Sequence, residues 1–94
     1  MTHPRTDANQ GEIVDGLRKA GYWVFITSGV KCGYPDLTVI MPGAVALLEV
    51  KRKGEKLTPQ EGDFHERAGA MYSPVFVVYS LEDALRRIGE VMRG

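Results

Sequence analysis

Pro35-Asp36 and the triplet Glu49-Val50-Lys51 are the residues of this chain whose types and spacing suit chemistry. Twelve residues separate the aspartate from the glutamate, and Pro42-Gly43 lies midway between them. Proline then glycine fits the two central positions of a type II turn. The apolar runs on either side, Leu37 to Met41 and Ala44 to Val50, then read as the strands of a hairpin. With Met41 facing Ala44, Asp36 faces Glu49. Cross-strand partners share a face, with Cβ atoms about 4.5–5.5 Å apart. Two carboxylates that close repel, and each resists losing its water. A divalent cation between them removes both penalties. Glu49 and Lys51 are two apart, so strand alternation points them the same way. Val50 points to the other face, and its backbone carbonyl is a further candidate ligand. Hard oxygen donors suit Mg²⁺ or Mn²⁺, and the chain has no His/Cys cluster for zinc. A cation held there would polarise a phosphodiester oxygen and lower the pKa of a water. Lys51 would orient that water and offset the charge growing on the phosphorus centre.

An acid and a lysine two apart on a strand are also the mark of a solvated edge; Asp36 opposite is what favours a site. Two outlying residues complete the candidate set. Glu12 lies beside the apolar stripe of a first helix, where its carboxylate can reach the sheet edge as a further candidate metal ligand or hold a metal-bound water or phosphate oxygen. A surface glutamate is the plainer reading. Gln60 sits one turn before Phe64 on a second helix, where its amide can point inward; helix capping is the plainer reading, although Thr58 already serves there. Lys51-Arg52-Lys53-Gly54-Glu55-Lys56 is the one local basic patch. Lys53 and Lys56 are placed to meet backbone phosphates, with Lys31 contributing from a loop across the site. Such contacts position nucleic acid without reading its sequence. Cys32 reads as a bystander. His65, between Asp63 and Glu66, reads as solvent-facing, and His3 falls in a polar terminus; neither has partners at metal-ligand spacing.

The elements that must position these groups follow from periodicity and punctuation. Met1 to Thr6 is polar and expected to be loose. Ile13, Leu17 and Ala20 recur at helical spacing over Asp7–Ala20, and Gly21 is a natural stop. Tyr22 to Thr27 is aromatic and β-branched, and reads as a strand. A glycine-bearing loop, Ser28 to Tyr34, leads to the hairpin. Thr58-Pro59-Gln60-Glu61 predicts a helix start with a threonine cap and a capping-box glutamate. Phe64, Ala68 and Met71 are its expected buried stripe. Pro74 to Tyr79 is nearly all apolar and is expected to be a central strand. Ser80 opens a last helix, with Ala84, Leu85, Ile88 and Met92 expected inward. The first three strands suit a meander; the fourth returns through a helical crossover and can lie parallel to an earlier one. The expected fold is α/β, a mixed four-stranded sheet flanked by helices, with a C-terminal helix added.

Ninety-four residues make one domain, 1–94, with a modest core. Self-association would add burial. Twelve basic and twelve acidic side chains cancel, which counts against a protein that coats nucleic acid indiscriminately. It leaves room for an enzyme with acids at its centre and bases around them. One cysteine allows no internal disulfide, so a reducing interior is expected. No apolar run is long enough to span a membrane and no signal peptide is seen, so the expected setting is soluble and intracellular, with no membrane partner.

Pro35-Asp36 and Glu49-Val50-Lys51 resemble the PD-(D/E)xK nuclease motif, and the element order resembles that superfamily's restriction-endonuclease-like αβββαβ core. Gly33-Tyr34-Pro35-Asp36-Leu37, then Leu48-Glu49-Val50-Lys51, then Leu57-Thr58-Pro59-Gln60 resembles the virus-type replication-repair nuclease (VRR-NUC) family, most closely its small stand-alone phage and bacterial members. The resemblance covers nearly the whole chain. It implies Asp36 and Glu49 as metal ligands, Lys51 as the catalytic lysine, Glu12 as the first-helix acid and Gln60 as the motif glutamine. It further implies a Mg²⁺- or Mn²⁺-dependent DNA endonuclease, homodimeric, acting on branched DNA such as four-way (Holliday) junctions in replication, repair or recombination, in the cytoplasm of a bacterial or phage-infected cell. Two alternatives stand beside it. One is a general PD-(D/E)xK nuclease without junction preference. The other is a non-catalytic DNA-binding or adaptor module, against which the intact Asp36, Glu49 and Lys51 argue.

Overall fold

The computed structural model describes residues 4–94, the side chains of 4–7 excepted. Helix α1 spans Pro4–Lys19, strand β1 Trp23–Ile26, β2 Leu37–Met41 and β3 Ala44–Val50. Helix α2 follows at Pro59–Ala70, then β4 at Val75–Val78 and α3 at Leu81–Arg93. The loose terminus expected over 1–6 lies, for residues 1–3, outside the described residues; from Pro4 the chain is helical.

The sheet is mixed, with strand order β1-β2-β3-β4. β1, β2 and β3 form the antiparallel meander, and β4 joins β3 in parallel after the α2 crossover. The hairpin turn falls at Pro42-Gly43, and Gly43 takes the positive φ of 75° that a type II turn demands at this position. Met41 faces Ala44 and Leu37 faces Leu48, the register expected from that turn.

One face of the sheet carries the core. Leu37, Val39, Met41, Ala46, Leu48 and Val50 alternate onto it and meet Ile13, Val14 and Leu17 of α1 and Ala84 and Ile88 of α3. Burying these side chains is the main driving force for the fold, at about 25 cal/mol per Å² of apolar surface. Helix α2 covers part of the opposite face, through contacts to Glu49 and Lys51. Its start is as expected: Thr58 caps, Pro59 enters the first turn, and Glu61 closes a capping box.

Four packing expectations are corrected. β4 is an edge strand, not a central one. It is apolar because helices lie on both its faces, and that says nothing of its free hydrogen-bonding edge. No residue of α2 is fully buried, and Met71 at its end is 77% exposed, because this helix covers a polar surface. In α3 the inward stripe is Leu81, Ala84, Ile88 and Val91, while Leu85 and Met92 face out. On α1, similarly, Val14 takes the inward place expected of Ala20, which is exposed.

Candidate active site

The segment Pro35-Asp36 is tied to the end of β1 before β2 begins. Thr27 donates its backbone N–H to the Asp36 carbonyl at 2.7 Å and its hydroxyl to the Pro35 carbonyl at 2.8 Å. Asp36 Oδ2 accepts from the Val50 backbone N–H at 2.9 Å. Extending the β2–β3 register by one step sets Asp36 against Glu49, and by two sets Pro35 against Val50. Proline has no N–H to offer across that ladder, so the Val50 carbonyl lacks its usual donor there. The N–H and C=O of one strand residue leave the same edge. The free carbonyl of Val50 therefore points the way its N–H does, toward Asp36.

Glu49 is 1% exposed, a carboxyl group almost wholly out of water. Burial first, and then the neighbouring Asp36 and Glu61, push its pKa to about 9, against a smaller opposing pull from Lys51. Without a cation, the carboxyl is thus neutral at pH 7. His65 of α2 lies beside it, Nε2 at 3.3 Å from Oε1. Burial lowers the His65 pKa.

Lys51 extends from the same face, just past the end of β3. Its Nζ is 2.8 Å from Glu61 Oε1, and both side chains are mostly enclosed. Burial opposes the ammonium, yet the hydrogen bond and charge of Glu61, with Glu49 and Glu55, hold the lysine above its ordinary pKa. The same Glu61 oxygen accepts from the Thr58 backbone N–H at 2.9 Å.

The loop before β2 forms the outer wall. Gly33 takes φ of +77°, and a Cβ there would stand 2.3 Å from the Gln60 carbonyl oxygen. Only glycine lets the loop pass this close to the start of α2. Tyr34 follows, edge-on to Phe64 of α2 at 5.3 Å between ring centroids, with its hydroxyl 3.2 Å from that of Thr38.

Among solved structures, one chain described as a VRR_NUC domain superposes on this one with a TM-score of 0.75. The two are 30% identical, over 89% of this chain and 94% of that one. The chain belongs to the VRR-NUC family. No family model and no curated protein matches the sequence, so the likeness rests on the shared fold and that level of identity. VRR-NUC domains are nucleases of the PD-(D/E)xK type with a restriction-endonuclease-like fold, and the mixed sheet and three helices here are that fold.

Within this VRR-NUC fold, Asp36, Glu49 and Lys51 come together on one face. Gln60 and Lys31 line an open hollow with Asp36. Glu12 lines a different hollow, with Arg52, Lys53, Tyr79 and Ser80. Lys56 is exposed in the connection to α2. His65 is not solvent-facing as expected, since α2 turns it onto Glu49. Glu61 was legible only as a capping residue; its second role depends on how α2 docks.

Among the described residues, no three His, Cys, Asp or Glu side chains are grouped to hold a metal ion. The oxygens that could hold a cation here are the Asp36 and Glu49 carboxylates and the Val50 main-chain carbonyl, all hard donors. A carboxyl kept neutral by burial beside another carboxylate is the electrostatic setting a divalent cation would relieve. Such a set suits Mg²⁺ or Mn²⁺ and leaves positions for water and substrate oxygens. No helix among the described residues is long and apolar enough to cross a membrane.

Proposed function

We propose that this VRR-NUC domain is a Mg²⁺- or Mn²⁺-dependent endodeoxyribonuclease that hydrolyses phosphodiester bonds, with a preference for branched DNA such as four-way junctions. The observation that carries the reading is Glu49, buried and electrostatically frustrated beside Asp36, with Lys51 on the same face. Asp36, Glu49 and the Val50 carbonyl would hold the cation, which supplies Lewis-acid activation when bound. The Val50 N–H fixes Asp36 Oδ2 and so holds the carboxylate beside Glu49. Lys51 orients the attacking water and offsets charge on the phosphoryl oxygens. Gln60 offers an amide to substrate across the hollow. Glu12 serves as an outer acid beside Arg52 and Lys53, not as a direct partner of Asp36. Lys31, Lys53 and Lys56 contact backbone phosphates. Residues 1–94 work as one domain, and two copies present two such sites.

Cleavage of labelled four-way junction, flap and linear duplex DNA, with Mg²⁺ or Mn²⁺ and beside Lys51→Ala, tests this. Symmetric nicking of the junction that the variant lacks is the expected result. Equal cutting of all three substrates would leave a nuclease without junction preference. A folded protein that binds DNA but cuts none of them would sink the enzyme reading and favour a binding module.

A further inference from the structure

The last residue of the Glu49-Val50-Lys51 triplet stands where order runs out. β3 ends at Val50, and the chain beyond Lys51 enters an exposed connection, 52–57. A lysine ammonium on a four-carbon stem has little direction of its own. What fixes it comes from another element. Glu61 Oε1 lies 2.8 Å from Lys51 Nζ, with the two side chains only 11% and 19% exposed. That oxygen is itself fixed, because it also accepts from the Thr58 N–H at 2.9 Å, while Thr58 Oγ1 accepts from the Glu61 N–H at 3.2 Å. The carboxylate is thus clamped to the first turn of α2 before it meets the lysine. One turn on, His65 Nε2 lies 3.3 Å from Glu49 Oε1.

We propose that Glu61 is the positioning residue for Lys51, setting where the ammonium stands relative to the Asp36 and Glu49 carboxylates. The role falls to Glu61 and not to its neighbour Gln60, because the Glu61 carboxylate reaches Lys51 Nζ and is held by the Thr58 N–H, while Gln60 is exposed. The pair also explains why a mostly enclosed acid is tolerated beside two other carboxylates: Lys51 balances it. This inference rests on the nuclease reading of the site.

Glu61→Gln isolates the effect. Glutamine also completes a capping box, so the helix start survives while the charge opposite Lys51 is lost. With Mg²⁺ and junction DNA, kcat should fall about tenfold or more, while KM for DNA stays within about twofold. In ¹⁵N spectra, the Lys51 ammonium should give a signal protected from solvent exchange that Glu61→Gln abolishes. In the unaltered protein, that signal should show coupling across the hydrogen bond to the Glu61 carboxylate carbon. An unchanged kcat in Glu61→Gln overturns the proposal. So does the absence of that coupling, which decides the matter even if the variant folds poorly. If the unaltered protein cuts nothing, the nuclease reading fails by itself, while the coupling between Lys51 and the Glu61 carboxylate still decides whether Glu61 holds the lysine.

Discussion

At the scale of single residues, the site is a problem of charge that the fold leaves unsolved. In the unfolded chain Glu49 titrates at its ordinary 4.5; in the fold it titrates at about 9. Between those values the unfolded state has released a proton that the folded state keeps. Its contribution to stability is therefore full below pH 4.5 and is lost as pH rises through about 9. Melting of the metal-free protein should fall across that window, and Glu49→Gln should flatten the slope. A parallel pH dependence in protein and variant would show that Glu49 is not the frustrated group. Asp36→Ala removes both a proposed ligand and the acceptor of the Val50 N–H. It should abolish Mn²⁺ binding by calorimetry and cost about 1–3 kcal/mol of stability. Retained binding would move the metal elsewhere. Asp36, Glu49 and Lys51 were legible in the sequence because strand alternation and one short turn relate them. Glu61 and His65 were not. Each has an adequate local reading, a cap and a charged surface, and only the docking of α2 turns them to Lys51 and Glu49.

At the scale of elements, the order and the hairpin register could be read directly, and the misreadings share a cause. Apolarity reports what lies on the faces of an element, not what lies along its edge. β4 carries helices on both faces and so looks central, yet it ends the sheet. For α2 the inward positions are Glu61, Phe64, His65 and Ala68, spaced as one helical face but mixed in character. A purely apolar stripe was the wrong pattern to seek in a helix that closes over a polar site. The approach of the loop to that helix is also local in cause. Gly33→Ala meets both a left-handed backbone and the Gln60 carbonyl. The backbone alone costs about 1–2 kcal/mol, and the close contact adds to it. The variant should melt earlier and lose cleavage, because the loop carrying Lys31 and Asp36 is pushed from α2. Chemical denaturation beside a cleavage assay measures both; a variant as stable as the parent would mean that the loop relaxes freely.

At the scale of the whole molecule, α2 leaves much of its sheet face uncovered. On that face Trp23 is 63% exposed, Phe25 42% and Val45 56%. Trp23 pairs with Ile40 and Ile40 with Val45, so an apolar row crosses β1, β2 and β3. It lies on the face that carries Glu49 and Lys51, because Val45, Leu47 and Glu49 alternate onto one side. Trp23 and Phe25 pack on each other, ring centroids 5.0 Å apart. A patch of this kind on a small domain suits a partner surface, and a strand edge beside it suits pairing. A second copy placed here by a two-fold axis would set two sites toward one side, the geometry a symmetric branched substrate requires. Sedimentation equilibrium should then give twice the 10.4 kDa chain mass. Trp23→Glu should yield a folded monomer that nicks one strand of a junction but no longer cuts symmetrically. In the unaltered protein, Trp23 fluorescence should shift to the red on dilution, as the indole returns to water. A monomeric mass at all concentrations, with symmetric junction cutting intact, would remove the dimer and require one chain to act twice.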